Sequence, residues 1–359
     1  MTAAAPSRYD AIDGLRAIAI LWVAVYHYAV FWSPAGRGLD LVPYGAALSW
    51  IPLAEVGGLG VSLFFIVSGF VITFSLQRSG SVLAFLALRL LRLWPTLLLC
   101  GSLTFVVTLW LGPPPLMRSM LEFVISMAFL PPEHVGRALG LGPLEWLDGA
   151  YWSLWVEVRF YAIAALLYFG TRGHFLAGWA VFMAIGTLLH VKLLPPDHPL
   201  LGLLFTDYHP FFTIGIALAA FRMDVPRRVA GFLLISGLVQ AYLYAANDLA
   251  YALGLTIVCA LAITAALSPR AVPFLSAAPL ARIGRASYAY YLLHQNLGLA
   301  LLATVGLSFG VSGAIVAMLV IQLALLALSI GLTERLEAPV RHRLRAVVMR
   351  WTHRPAPAA

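Results

Sequence analysis

Apolar runs close to the length of a bilayer-crossing helix, separated by short breaks rich in Gly, Pro and charge, follow one another along almost all of this 359-residue chain. A spanning helix needs about 20 mostly apolar residues. Within the hydrocarbon every backbone N–H and C=O must find a partner inside the protein, so such runs become helices. Runs near 12–32, 56–77, 93–111, 150–169, 175–193, 206–222, 228–246, 250–268, 287–306 and 311–333 predict about ten transmembrane helices and leave no room for a sizeable soluble domain. The fold class is therefore all-α, a polytopic membrane bundle. Residues 117–131 are apolar but short and end in Pro131-Pro132, which reads as an interfacial or re-entrant helix.

Only 11% of residues are charged, yet the formal net charge is +8. That excess does not indicate a nucleic-acid partner, because the basic residues sit in the gaps between apolar runs rather than on one amphipathic face. Topology accounts for them. With the N-terminus in the cytoplasm, Arg8, Arg78, Arg172, Arg222, Arg227, Arg270 and the arginines beyond Arg335 all fall on the cytoplasmic side, against Arg37, Arg118, Arg137 and Lys192 opposite. The positive-inside rule then places both termini in the cytoplasm. The first run opens among Asp10, Asp13 and Arg16 and reads as a retained helix rather than a cleaved signal. Cys100 and Cys259 lie within apolar runs, where core packing is expected rather than a disulfide or a metal site. His-Glu-x-x-His, Walker A and Rossmann glycine motifs are absent, which disfavours a metalloprotease and an ATP-driven pump.

Ionisable residues within spans are expensive and tend to mark function. Arg16 and His27 are 11 residues apart in the first run. At about 100° per residue they return to nearly one helix face, roughly 16 Å apart along the axis. Imidazole exchanges a proton near neutrality, and guanidinium suits phosphate or carboxylate. The structural alternative is a hydrogen bond from His27 to a neighbouring helix and an Arg16 that snorkels to the headgroups. Arg89 and Arg92, three apart before Pro95, either clamp a polyphosphate or anchor the helix, and Arg282 and Arg285 repeat the spacing. Trp152, Ser153, Glu157 and Tyr161 begin the fourth run; the carboxylate suits an imidazole or sugar hydroxyls, while Trp and Tyr also form ordinary interfacial belts. Ser287, Tyr288 and His294 place a second imidazole on the ninth run, with a structural hydrogen bond as its alternative role.

Taken in order, these segments resemble the membrane-bound acyltransferase-3 family. The opening Asp13-Gly-Leu-Arg16 with His27, the Gly60–Phe70 segment carrying Ser68, the Arg89–Arg92 pair, Trp152-Ser153 with Glu157 and Tyr161, Ser287-Tyr288 with His294, and Glu337-x-Pro339 all match its motifs. The resemblance implies an O-acyltransferase domain over 1–335, followed by a basic cytoplasmic tail over 336–359, of the type without a fused esterase-like domain. It implies acyl-CoA, commonly acetyl-CoA, as co-substrate with no permanently bound cofactor and no metal. The acceptor would be a hydroxyl of a glycan or lipid-linked sugar, and the site a multi-pass protein of the bacterial inner membrane. In that reading His27 is the general base, Arg16 holds the donor, Arg89 and Arg92 bind its phosphates, and Glu157 approaches from the outer side as acceptor ligand or partner of His27. Asp13, Ser68, Trp152, Ser153, Tyr161, Tyr288 and His294 lend support. Two other readings stand beside it: the same chemistry on a secondary metabolite such as a macrolide, and a proton-coupled transporter, against which the lack of an inverted repeat counts.

Overall fold

A computed structural model describes residues 10–33, 41–42, 44–48, 50–244, 248–305, 308–337 and 339. Arg8, Arg37, Asp40 and nearly all of the basic tail expected over 336–359 lie outside them, as does the side chain of Glu337. The helices in chain order are α1 (Asp10–Tyr26), α2 (Leu59–Gln77), α3 (Val82–Leu111), α4 (Met120–Met127), α5 (Pro132–Leu139), α6 (Trp152–Gly170), α7 (Phe175–Leu188), α8 (Pro199–Leu203), α9 (His209–Ala220), α10 (Arg227–Tyr244), α11 (Leu249–Leu267), α12 (Ala278–Leu293), α13 (Asn296–Val305) and α14 (Gly310–Leu332). Among the described residues there is no strand. The protein is an all-α membrane bundle.

Among the described residues, seven helical stretches are long and apolar enough to cross a bilayer: Asp10–Phe31, Leu59–Gln77, Val82–Leu111, Gly149–Gly170, Phe175–Leu193, Leu249–Leu267 and Gly310–Leu336. Of the other expected runs, the one near 228–246 forms α10, an unbroken 18-residue helix that opens on Arg227 and Arg228 and is less apolar than these seven, and two form shorter or interrupted helices. The run near 206–222 yields α9, only 12 residues long and buried at every one of them. A helix enclosed by protein need not match the bilayer's thickness, because its neighbours rather than lipid surround it. The ninth run is broken into α12 and α13 at His294-Gln295. The third begins well before residue 93, since Ser81 caps α3 by accepting from the Ala84 N–H at 3.2 Å. Arg89, Arg92 and Pro95 therefore lie inside a continuous helix.

Small residues let the central helices approach closely, the usual basis of packing between helices in lipid. A Cβ on Gly284 of α12 would meet the Asp13 carbonyl of α1, and one on Gly215 of α9 would meet the Ile66 carbonyl of α2. The core formed this way includes Ile20, Leu63, Phe160, Phe212 and Leu292. Lipid-facing positions on α3 and α14 carry Trp110, Val316 and Leu323 with their side chains exposed.

The segment expected to lie at the interface forms α4. A capping box closes its start: Ser119 N–H donates to Glu122 Oε2 at 2.7 Å and the Ser119 hydroxyl accepts from the Glu122 N–H at 3.3 Å. The Glu145 N–H reaches Glu122 Oε1 at 2.9 Å. Burial pushes the Glu122 carboxyl up, but these backbone and hydroxyl donors, with Arg118 nearby, outweigh it and hold it below the usual range.

Candidate active site

His27 stands where α1 gives way to a π-helical turn, His27–Phe31, closed by the Trp32 N–H on the His27 carbonyl at 3.3 Å. Such turns are rare and concentrate at functional sites. Its Nδ1 lies 2.8 Å from Nε2 of His294, and the two rings stack with centroids 5.0 Å apart. His27 is 8% exposed and His294 wholly buried.

His294 owes its place to the break between α12 and α13. A helix interrupted inside a bundle leaves carbonyls that need donors from elsewhere. Three residues distant in sequence supply them: Tyr151 OH donates to the Leu292 carbonyl at 3.1 Å, Tyr28 OH to that of His294 at 2.6 Å, and Gln322 Nε2 to the same His294 oxygen at 3.2 Å. The start of α13 is held by Asp148, whose carboxylate accepts from the Ala150 and Asn296 N–H groups, each at 2.8 Å. The side chain of Asn296 returns a bond to the Leu147 carbonyl at 3.0 Å.

A cavity of about 430 Å3 opens between α1, α2, α3, α6 and α12. One end carries charge. Asp13 lies 3.8 Å from Arg16 and 4.0 Å from Arg285, while Arg282 is paired with Glu334 through two bonds of 2.6 and 2.8 Å. Arg92 joins them on the lining. Deeper, Val61, Phe64, Val67 and Leu154 make an apolar wall. The lining closes with Ser153 and Tyr291, whose hydroxyls are 2.8 Å apart, and the Tyr291 ring is 5.6 Å from that of His294. The imidazole pair thus lies just behind the inner end.

The predicted residues divide between this cavity and its surroundings. Asp13, Arg16, Ser68, Arg92, Ser153, Glu157, Tyr161 and Tyr288 line it. Glu157 accepts from the Ser68 hydroxyl at 3.0 Å and from the Tyr161 hydroxyl, so it belongs to the cavity wall with Arg16 and Arg92. The ring facing His27 Nδ1 is that of His294 rather than the Glu157 carboxylate. Tyr288 donates to the Leu93 carbonyl at 3.0 Å, two residues before Pro95. Arg89 does not reach the lining; its guanidinium lies 5.5 Å from the centre of the Phe85 ring, with no hydrogen-bond partner for Nε among the described residues. Trp152 packs on Tyr208 with centroids 5.1 Å apart and on Phe65, which lines the cavity, without itself reaching the lining.

Sequence reasoning left Arg282 and Arg285 undecided and overlooked Glu334, Asp148 and Gln295-Asn296. Three consecutive polar residues, His294-Gln295-Asn296, inside an apolar run were the available sign of the break.

A family model described as an acyltransferase domain, acyltransferase-3, matches residues 9–334. An O-acetyl transferase of Shigella phage Sf6 is 32% identical over 103 residues, 28% of this chain and 27% of that protein. The O-acetyltransferase OatA of Staphylococcus aureus (strain NCTC 8325 / PS 47) is 25% identical over 390 aligned residues, 94% of this chain and 58% of that one. The chain thus covers about a quarter of the first relative's length and a little over half of the second's. No solved structure matches the chain significantly. With nearly its whole length matched in one piece, the chain belongs to the acyltransferase-3 family.

Proposed function

We propose that this protein is a membrane O-acyltransferase that moves an acyl group, acetyl in the simplest case, from acyl-coenzyme A to a hydroxyl of an extracytoplasmic or lipid-linked glycan. The observation that carries this reading is the buried His27–His294 pair behind a cavity whose mouth holds four guanidinium groups. Family membership and two relatives named as O-acetyltransferases support it.

Guanidinium matches phosphate in charge and geometry, so Arg92 and Arg16, with Arg282 and Arg285 beside them, suit the phosphates of the donor. The apolar wall suits the pantetheine arm, and the cavity volume falls in the range of small-ligand sites. Glu157, steadied by Ser68 and Tyr161, is an acceptor for the arm's amide N–H groups. Coenzyme A is a co-substrate that enters and leaves. In this reading the protein sits in a bacterial inner membrane with the basic mouth on the cytoplasmic face, the orientation the positive-inside rule favours, and the acceptor approaches His27 from the opposite face.

In the transfer His27 takes the proton of the acceptor hydroxyl as its oxygen bonds to the thioester carbonyl carbon. The C–S bond breaks, and the thiolate recovers that proton from His27. The products are an ester and free coenzyme A. The test is purified protein in liposomes with acetyl-CoA and a glycan acceptor, followed by free coenzyme A and by the acceptor's mass. Wild-type protein should release coenzyme A and add an acetyl group, and His27→Ala should do neither while still inserting normally. An active His27→Ala variant would remove the base.

A further inference from the structure

The hydrogen bonds around the two imidazoles fix where their protons sit. His294 Nδ1 is 2.9 Å from the Tyr291 carbonyl oxygen. A carbonyl only accepts, so Nδ1 of His294 carries a hydrogen. His294 is wholly buried and ringed by His27, Tyr290 and Tyr291, surroundings that accommodate the neutral form. In neutral imidazole the other nitrogen is an acceptor. His294 Nε2 therefore accepts, and the atom that faces it at 2.8 Å, His27 Nδ1, must be the donor. A neutral His27 is then left with its lone pair on Nε2.

We propose that His294 is a positioning residue that holds His27 in its Nδ1–H form, so that Nε2 is the atom that takes the acceptor's proton. The inference rests on the reading of His27 as the base. It gives His294 the part played in other sites by a carboxylate, which orients an imidazole and fixes its tautomer. A neutral ring does this without placing an isolated charge in the bundle, where desolvation of a carboxylate is costly. When Nε2 gains a proton, the bond from Nδ1–H to His294 becomes charge-assisted and strengthens, with the Tyr291 carbonyl behind it completing the chain.

The backbone is arranged to keep this alignment. Tyr28, next to His27 in the chain, donates to the His294 carbonyl at 2.6 Å, and the His294 N–H bonds to the Tyr290 carbonyl at 2.8 Å. The two segments that carry the imidazoles are thus tied together both through the rings and through this hydroxyl.

The test is 15N NMR of the full-length protein labelled at histidine, which separates protonated from bare ring nitrogens, with His27→Ala used to assign the His27 signals. The expected spectrum of wild-type protein has a protonated Nδ1 and a bare Nε2 on His27. In His294→Ala the proton should shift towards Nε2, and kcat for acyl transfer should fall about 100-fold, the lower range of a general base's contribution, with KM for acetyl-CoA within about threefold. His294→Gln, whose side-chain oxygen can replace Nε2 as acceptor, should restore at least about a tenth of kcat. An Nε2–H form of His27 in wild-type protein overturns the proposal without any variant having to fold. So does a His294→Ala variant that keeps kcat. An inactive His27→Ala with the wrong wild-type tautomer would sink the positioning role of His294 and spare the base, whereas an active His27→Ala would sink the base itself.

Discussion

At the mouth of the cavity the polar groups meet as ion pairs, Asp13 with Arg16 and Arg285 and Glu334 with Arg282, the last pair about half exposed. At the inner end Tyr291, His294 and His27 meet as a buried chain of hydrogen bonds. Ion pairs near solvent are weak and exchange partners readily, so their cations can be handed over to an incoming anion. Hydrogen bonds in a dry interior are strong and directional, and leaving one unmade is costly. Under the proposed function the mouth would select and hold the donor while the inner end moves a proton, and substitutions at the two ends should separate in kinetics.

The largest effect is expected at the inner end. His27→Ala should reduce kcat by at least about 1,000-fold while acetyl-CoA affinity, measured by calorimetry, changes little. A comparable loss of affinity would mean that the two ends are not separate. At the mouth, Arg92→Ala should raise KM for acetyl-CoA about 10- to 100-fold, the range for losing a charged hydrogen bond, with kcat nearly unchanged. Its KM should also respond less to added salt than that of wild-type protein. Arg89→Lys should leave KM within about threefold, since Arg89 lies against Phe85 and off the lining. A KM as high as that of Arg92→Ala would mean that the donor reaches both arginines.

Smaller changes bound the contrast. Glu334→Gln frees the guanidinium of Arg282 from an exposed carboxylate and should lower KM by no more than about threefold. A rise would show that Glu334 helps to hold the donor. A third region is sensitive to acid. Glu122 is held below its usual range, so its contribution to stability is present above the unfolded value of about 4.3 and lost as pH falls through the folded one. Thermal unfolding between pH 5 and pH 3 should therefore show a shallower loss for Glu122→Gln than for wild-type protein, while the ordering of the kinetic variants stays as described.

Much of the scaffold was legible because lipid leaves few options for an apolar run of spanning length. Arg16 and His27 were legible for the same reason, as polar groups where they are expensive. The break at His294 was harder to see. Whether a run continues or divides depends on donors for the freed carbonyls, and Tyr28, Tyr151 and Gln322 come from three distant segments. The arginine pair shows a different limit. A spacing of three puts Arg89 and Arg92 on one face, but the cavity edge passes between them, a matter of how α3 meets α12 rather than of α3 alone.

The π-helical turn at His27–Phe31 carries one more residue than an α-helical turn needs. That surplus makes it the one place in the first transmembrane stretch where the chain can shorten without rotating the residues beyond it. Loss of Ala29 would let the Trp32 N–H reach the His27 carbonyl as an ordinary α-helical bond, while loss of Ala19 would rotate His27 by about 100° away from His294. Membrane insertion and acyl transfer by the two single-residue deletions would distinguish these outcomes, with retention of activity after loss of Ala19 counting against the idea. Variation in the length of this helix, on that account, is confined to the side of the imidazole away from Arg16.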